Sequence, residues 1–359
     1  MPIYVEPAAP QVATLYATGT KIQTQWEQRW RPICGSDLTN FGLKELIASA
    51  RSHESEFAPG ARILVIDSGR HVGGDGEQNP AGGLNIVFNL GASVPPAAVP
   101  AFSAMELYLE SLFSDPVTVT ISVSFANLGS GVLGSTSSFY TNATWTNSRA
   151  GLVNGMDAND TIQSFLPTGS TIKVRYNGNR QTQTNEDRVF WTRASFNATV
   201  GVVAGNAASM QFNSNFGWDY DPSNGVSGYS FQDVVTHEVG HSLGFTSGAD
   251  FRNSDIEALD LFRFQRTDGN GDYNPDTTAE FQVRPRTVDW NVPNDDANSD
   301  TIASEYRMSD GNPYQASHFR EQAPNIGLMD PALGSNQTFY PNFFKTSDLE
   351  MFDAFGWDR

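Results

Sequence analysis

Two histidines four residues apart, in Val235-Thr236-His237-Glu238-Val239-Gly240-His241-Ser242-Leu243-Gly244-Phe245, constrain this chain more than any other feature. On a helix the two imidazoles share one face a turn apart, so both can reach a single metal ion. Glu238 is rotated off that edge, too far round to be a third ligand but near enough to hold a water on the ion. Val234, Val235, Val239 and Leu243 occupy much of the opposite side, giving the helix a core face as well as a metal face. Gly244 stands where the helix should end, because glycine permits a left-handed C-terminal turn. A Lewis acid, a water made acidic by it and a carboxylate to take the proton are what metal-dependent peptide hydrolysis requires.

The motif supplies two ligands and a base, not the third ligand. Three residues after Gly244, where one group of zinc peptidases has its last histidine, stands Ser247, whose hydroxyl is too weakly basic to serve. A glutamate on a following helix would nominate Glu257, and an aspartate plan would nominate Asp250 or Asp260. The remaining candidate is His318, in Ser317-His318-Phe319-Arg320, closely followed by Asn325-Ile326-Gly327-Leu328-Met329-Asp330-Pro331. The chain has five histidines, and the other two, His53 and His71, read as surface residues.

Length and composition are compatible with a zinc site, and the charge argues against some partners. At 359 residues the chain can bury a large core, as one domain or as two subdomains around a cleft. Forty acidic residues against 22 basic ones leave a formal charge of −18. Such an excess argues against nucleic acid or anionic membrane as a partner. No apolar run approaches the roughly 20 residues of a membrane span. The opening Met1-Pro2-Ile3-Tyr4-Val5-Glu6-Pro7 shows no basic start and no apolar stretch of a signal peptide. A single cysteine, Cys34, excludes internal disulfides.

The order of elements predicts a mixed sheet with the metal helix packed beneath it. Residues 36–56 read as a helix, and 61–67 and 84–90 as strands separated by a glycine-rich loop over 69–83 that carries His71. Residues 95–113 predict an amphipathic helix with Phe102, Met105, Leu109 and Leu112 on its core face. Val117 to Phe125 alternates apolar and hydroxyl residues with the period of a half-exposed strand. Residues 171–176 and 207–213 read as further strands, the latter offering an edge along which an extended substrate could pair. Between 246 and 317 only one short helix, 256–264, is expected within a long loop.

Within that loop Asp268, Asn270, Asp272, Asn274 and Asp276 place oxygen-bearing side chains at alternate positions, like the start of a calcium loop. Tyr273 and Ala279 stand where such a loop has glycine and glutamate, and a solvated acidic turn accounts for the same residues. Calcium is therefore the second cofactor reading, after zinc.

A zinc helix ending His-x-x-Gly-Phe, a long insertion, then Ser317-His318 and the Leu328-Met329-Asp330-Pro331 turn resembles leishmanolysin-type metzincins, zinc endopeptidases whose third histidine is displaced by an inserted segment. The chain is similar, more closely, to bacterial metzincin-like metalloproteases, often exported and surface-sorted, over 240–250, 258–264, 317–319, 328–331 and the terminal Phe355-Gly356-Trp357-Asp358. The resemblance implies an α+β, metzincin-like fold in three parts. Residues 1–58 would be an accessory or pro-like segment. Residues 59–245 would form an N-terminal catalytic subdomain, a mixed twisted sheet plus the zinc helix. Residues 246–359 would form a loop-rich C-terminal subdomain, with the active-site cleft between the two. It assigns His237, His241 and His318 to one zinc, Glu238 to general base and acid, and Met329 to the apolar floor of a Met-turn. The implied partner is a protein or peptide substrate, and the implied location is secreted or cell-surface. The oligomeric state is left open.

No position supplies the oxyanion with a tyrosine in that pattern; Tyr306, Tyr314 and Tyr340 are available. Cys34 is loosely similar to zymogen cysteines whose thiolate occupies the open zinc position; an ordinary buried or incidental free thiol is the reading it fits better. Two readings compete with the endopeptidase. One is a glutamate-ligand zinc peptidase or aminopeptidase, the other a non-catalytic surface protein with a structural zinc site, which would need four filled positions.

Overall fold

The computed structural model describes residues 82–158, 160–176, 183–250, 255–265, 275–289 and 295–359, together with the backbone of short strands at Pro2–Glu6, Thr14–Ala17, Thr20–Ile22, Arg62–Leu64 and Arg70–Val72. The expected helix over 36–56, Cys34 and His53 lie outside the described residues, as do Asp268, Asn270, Asp272 and Asn274. Of the expected strand over 61–67, Arg62–Leu64 is extended and pairs with Pro2–Glu6.

The site hangs on a five-stranded sheet of spatial order β1-β2-β3-β5-β4. Its members are β1 (Arg70–Val72), β2 (Asn85–Leu90), β3 (Thr118–Ala126), β4 (Gly134–Ser138) and β5 (Ala208–Asn213). β2, β3 and β5 run parallel, while β1 and β4 are antiparallel strands at the two ends. The inward residues of β3, Val119, Ile121 and Val123, are buried as their alternation predicts. Around this sheet stand several smaller ones and few helices, a mixed α+β chain.

Helix α1 (Val99–Glu110) packs on the sheet through Phe102, Met105 and Leu109, all buried; Leu112 falls just past its end and is half-buried. The metal-motif helix α2 (Phe231–Ser242) lies against α1 and β4, with every one of its residues buried. Phe231 anchors its start among Phe102, Phe125 and Phe212, with ring centroids 4.9–5.6 Å away. Its other end closes at Gly244, whose φ of 115° is open to glycine, and Phe245 N donates back to Gly240 O at 3.0 Å. A last helix, α3 (Thr346–Ala354), precedes Trp357, whose indole donates to Leu243 O at 2.7 Å and so ties the C-terminus to the end of α2. Among the described residues no helix is long and apolar enough to cross a membrane.

Three sequence expectations are corrected. The glycine-rich loop contains a strand: Arg70–Val72, including His71, pairs with β2 because the backbone there meets an open sheet edge. The helix expected over 256–264 is a 3-10 turn, Leu259–Phe262, continuing as a strand, Arg263–Gln265, which is drawn into extended form by antiparallel pairing with Asp295–Asn298. The strand over 208–213 is not an edge. β5 pairs with β3 on one side and with β4 on the other, so β4 is the strand at the metal end of the sheet.

Candidate metal centre

α2 presents His237 and His241 on one face, and the loop after the short strand Glu305–Arg307 brings His318 against them. The three ring centroids lie 4.9, 4.9 and 5.3 Å apart. One ligand nitrogen from each lies within 4.8 Å of the others, and among the described residues no fourth histidine, cysteine or acidic side chain joins the group.

Each imidazole is turned by a backbone carbonyl. Nδ1 of His237 meets Leu328 O at 2.7 Å, Nδ1 of His241 meets Phe245 O at 2.8 Å, and Nδ1 of His318 meets Gln315 O at 3.3 Å. A carbonyl can only accept, so the proton sits on Nδ1 and the Nε2 lone pair is left for a metal. Burial pushes His237 down to about 4, which keeps it neutral. Nε2 of His237 and Nε2 of His241 are 3.1 Å apart. Two facing lone pairs at that distance repel, whereas ligands at the corners of a tetrahedral site stand roughly 3.3 Å apart. The donor set therefore fits a metal ion.

Two buried carboxylates hold the loops that complete the cluster. Asp348, at the third position of α3, accepts from Lys345 N at 2.7 Å, Leu328 N at 2.7 Å and Met329 N at 2.9 Å. It thereby pins the turn whose Leu328 carbonyl orients His237. Burial pushes Asp348 up to about 6 despite these donors. Met329 is fully buried beneath α2, with its sulfur 2.5 Å from where a Cβ on Gly240 would stand. Asp250 accepts from Ala316 N and Ser317 N, both at 2.7 Å, and from Ser317 Oγ, fixing the residue before His318.

The other carboxylates weighed as third ligands are committed elsewhere. Asp260 accepts from Ser247 Oγ at 2.6 Å and Gly248 N at 2.8 Å, and Glu257 accepts from Thr246 Oγ1. Buried Arg263 closes this network, donating to Asp295 at 2.8 Å, Ser247 Oγ at 3.0 Å and Ala316 O at 3.1 Å. Of the calcium-loop residues only Asp276 is described, and it is exposed.

Glu238 is fully buried on the same helix as His237 and His241, and its Oε2 accepts from Thr136 Oγ1 of β4 at 2.6 Å. A Cβ at Gly134 would stand 2.7 Å from Glu238 Oε1, so that strand position is small because the carboxylate lies against it. A cavity of about 330 Å³ opens on His237, Glu238 and His318, with Leu133, Val234, Leu328, Leu333 and Phe339 among its walls. Tyr314 lines it too; Tyr340 does not, and Tyr306 donates instead to Glu350 at 2.6 Å. Thr136 and Asp348 were not visible as site residues in the sequence. An acid at the third position of a helix signals capping, but nothing local ties it to a turn twenty residues earlier. No family model, no curated protein and no solved structure matches the chain.

Proposed function

We propose that this chain is a zinc-dependent endopeptidase with a metzincin-like site, in which His237, His241 and His318 hold the ion and Glu238 moves the proton. The observation that carries the reading is three carbonyl-anchored imidazoles meeting at the wall of a cavity that also presents a buried glutamate. Zinc would supply Lewis acidity there, polarising a scissile carbonyl and lowering the pKa of a water towards about 7. Neutral donors suit that role, because they leave the ion's charge undiminished.

Glu238, oriented by Thr136, takes the proton of the attacking water and returns it to the departing amine. The apolar walls of the cavity keep bulk water from competing and strengthen every charge interaction inside. Met329 gives the metal ligands a fixed, apolar support through Gly240. The glutamate-ligand alternative draws nothing from Glu257, which is bound to Thr246, and a structural site would fill the position that here opens on the cavity.

Metal analysis together with casein hydrolysis tests the proposal. The wild type is expected to carry one equivalent of zinc and to cleave casein. Glu238→Ala is expected to keep the zinc and lose activity by roughly 10²- to 10⁴-fold. Equal hydrolysis by the variant would sink the mechanism.

A further inference from the structure

The cavity beside the histidine cluster is lined by two carboxyls the mechanism does not use, Asp233 and Asp330. Asp330 lines it, immediately after Met329, and is only 2% exposed. Its Oδ2 accepts from Ile326 N at 3.0 Å, while Oδ1 is buried with no hydrogen-bond partner. The charges acting on it, Asp348 and Glu321, are of its own sign, and with burial they push Asp330 up to about 8. A single backbone amide is a small return for burying a carboxyl, and an asparagine would serve that amide as well.

The other carboxylate that the mechanism leaves unused is not in this condition. Asp233 accepts from Phe339 N at 2.7 Å and Thr338 Oγ1 at 2.7 Å, and also contacts Ser230 Oγ. It is a structural clasp between α2 and the segment around residue 339. Of these two carboxyls, Asp330 is the one with an oxygen that has no donor. Among the described residues no lysine or arginine lines the cavity, and its apolar walls include Leu133, Val234, Leu333 and Phe339. Apolar walls leading to an undersupplied carboxyl match a side chain with a methylene stem and a cationic head. The cavity's volume, about 330 Å³, accommodates one such side chain.

We propose that Asp330 is a specificity-determining residue, selecting a substrate with lysine or arginine at a position flanking the scissile bond. The inference rests on the peptidase reading for its chemistry, and on the cavity alone for its binding. The head group would give Oδ1 its missing donor and offset the like charges of Asp348 and Glu321, and the stem would cover the apolar wall. A norleucine of similar length would cover the wall and leave the carboxyl unpartnered.

Two measurements on the full chain test it. The first maps cleavage sites in a peptide library by mass spectrometry, then compares kcat/KM on two peptides differing only as arginine or norleucine at the enriched position. The wild type is expected to favour arginine by roughly 10- to 100-fold, and Asp330→Asn to bring the ratio near one. Should Asp330→Asn fold poorly by circular dichroism, Ala332→Lys serves instead, because its own ammonium can occupy the same carboxyl; it too should erase the ratio. The second measures binding of the same peptides to Glu238→Ala by calorimetry, where the arginine peptide should bind more tightly and lose that advantage when Asp330→Asn is added. Hydrolysis with no arginine preference, or a preference untouched by either variant, overturns the role of Asp330 and leaves the peptidase reading standing. Asp330-dependent arginine binding with no hydrolysis by the wild type overturns the peptidase reading and leaves the pocket standing. Equal binding of both peptides overturns the pocket.

Discussion

Gly240 shows how tightly single residues are set around the histidine cluster. A methyl group there would meet the Met329 sulfur at 2.5 Å and its terminal carbon at 3.1 Å, in a region where no residue is exposed. Gly240→Ala gains about 1 kcal/mol of helix propensity but incurs overpacking of about 1–3 kcal/mol. The expected outcome is a lower thermal midpoint, with stability recovered when Met329→Ala is added, because the two changes share one contact. His318→Ala is expected to reduce bound zinc as severely as His241→Ala; unchanged zinc would return the third ligand to the carboxylates. The histidines were legible in the sequence because so few exist and two stand at helical spacing. The roles of Asp250, Asp260 and Glu257 were not legible. A buried carboxylate that ligates and one that anchors a loop have the same sequence signature, and only partners such as Ala316 N or Ser247 Oγ tell them apart.

Whole elements repeat the lesson with different physics. β3 announces itself by alternation, and α2 by its apolar face and terminal glycine. β4, read as Gly-Ser-Thr-Ser-Ser, carries no apolar pattern and looks like a loop. It is a strand because β5 pairs with it and because hydroxyls of Thr136 and Ser138 donate to the carbonyls of Glu238 and His241 on α2, at 3.0 and 3.3 Å. Tertiary contacts override weak local preference there. The same coupling makes Thr136→Val a test of β4: loss of the 2.6 Å contact to Glu238 should lower kcat while bound zinc stays constant. α3 acts on the site from further away. Asp348→Ala frees the backbone amides of Leu328 and Met329, and with them the carbonyl that orients His237. Zinc affinity is expected to fall roughly 10- to 100-fold, measured by competition with a chelator, although no ligand has been changed. Unaltered affinity would show that the turn holds His237 without α3.

The molecule as a whole carries a charge of −18 and buries carboxyls that have no full cationic partner. Burial pushes Asp115 up to about 7 and Asp348 to about 6, and burial with like charges pushes Asp330 to about 8. In the unfolded chain each of these groups releases its proton near the ordinary aspartate value of 3.8. Between that value and the folded one, the native state binds more protons than the unfolded state, so stability falls as pH rises. The stabilising contribution is complete below 3.8 and lost as pH climbs through 6 to 8. His237 acts in the opposite sense: its folded value of about 4 lies below the ordinary 6.5, so it favours the native state above 6.5 and withdraws that support as pH falls towards 4. Asp115 and Asp330 outweigh the imidazole above pH 6.5, because both are still titrating in the folded chain while His237 is already neutral there and is losing its last protons in the unfolded one. The metal-free protein, prepared with chelator so that ligand protonation and metal release do not intrude, is therefore expected to show a thermal midpoint several degrees lower at about pH 8 than at about pH 6.5. Asp115→Asn and Asp330→Asn should each flatten that slope, since an amide has no proton to release. A midpoint that stays level or rises over the same interval would mean that these carboxyls ionise in the folded chain as readily as in the unfolded one.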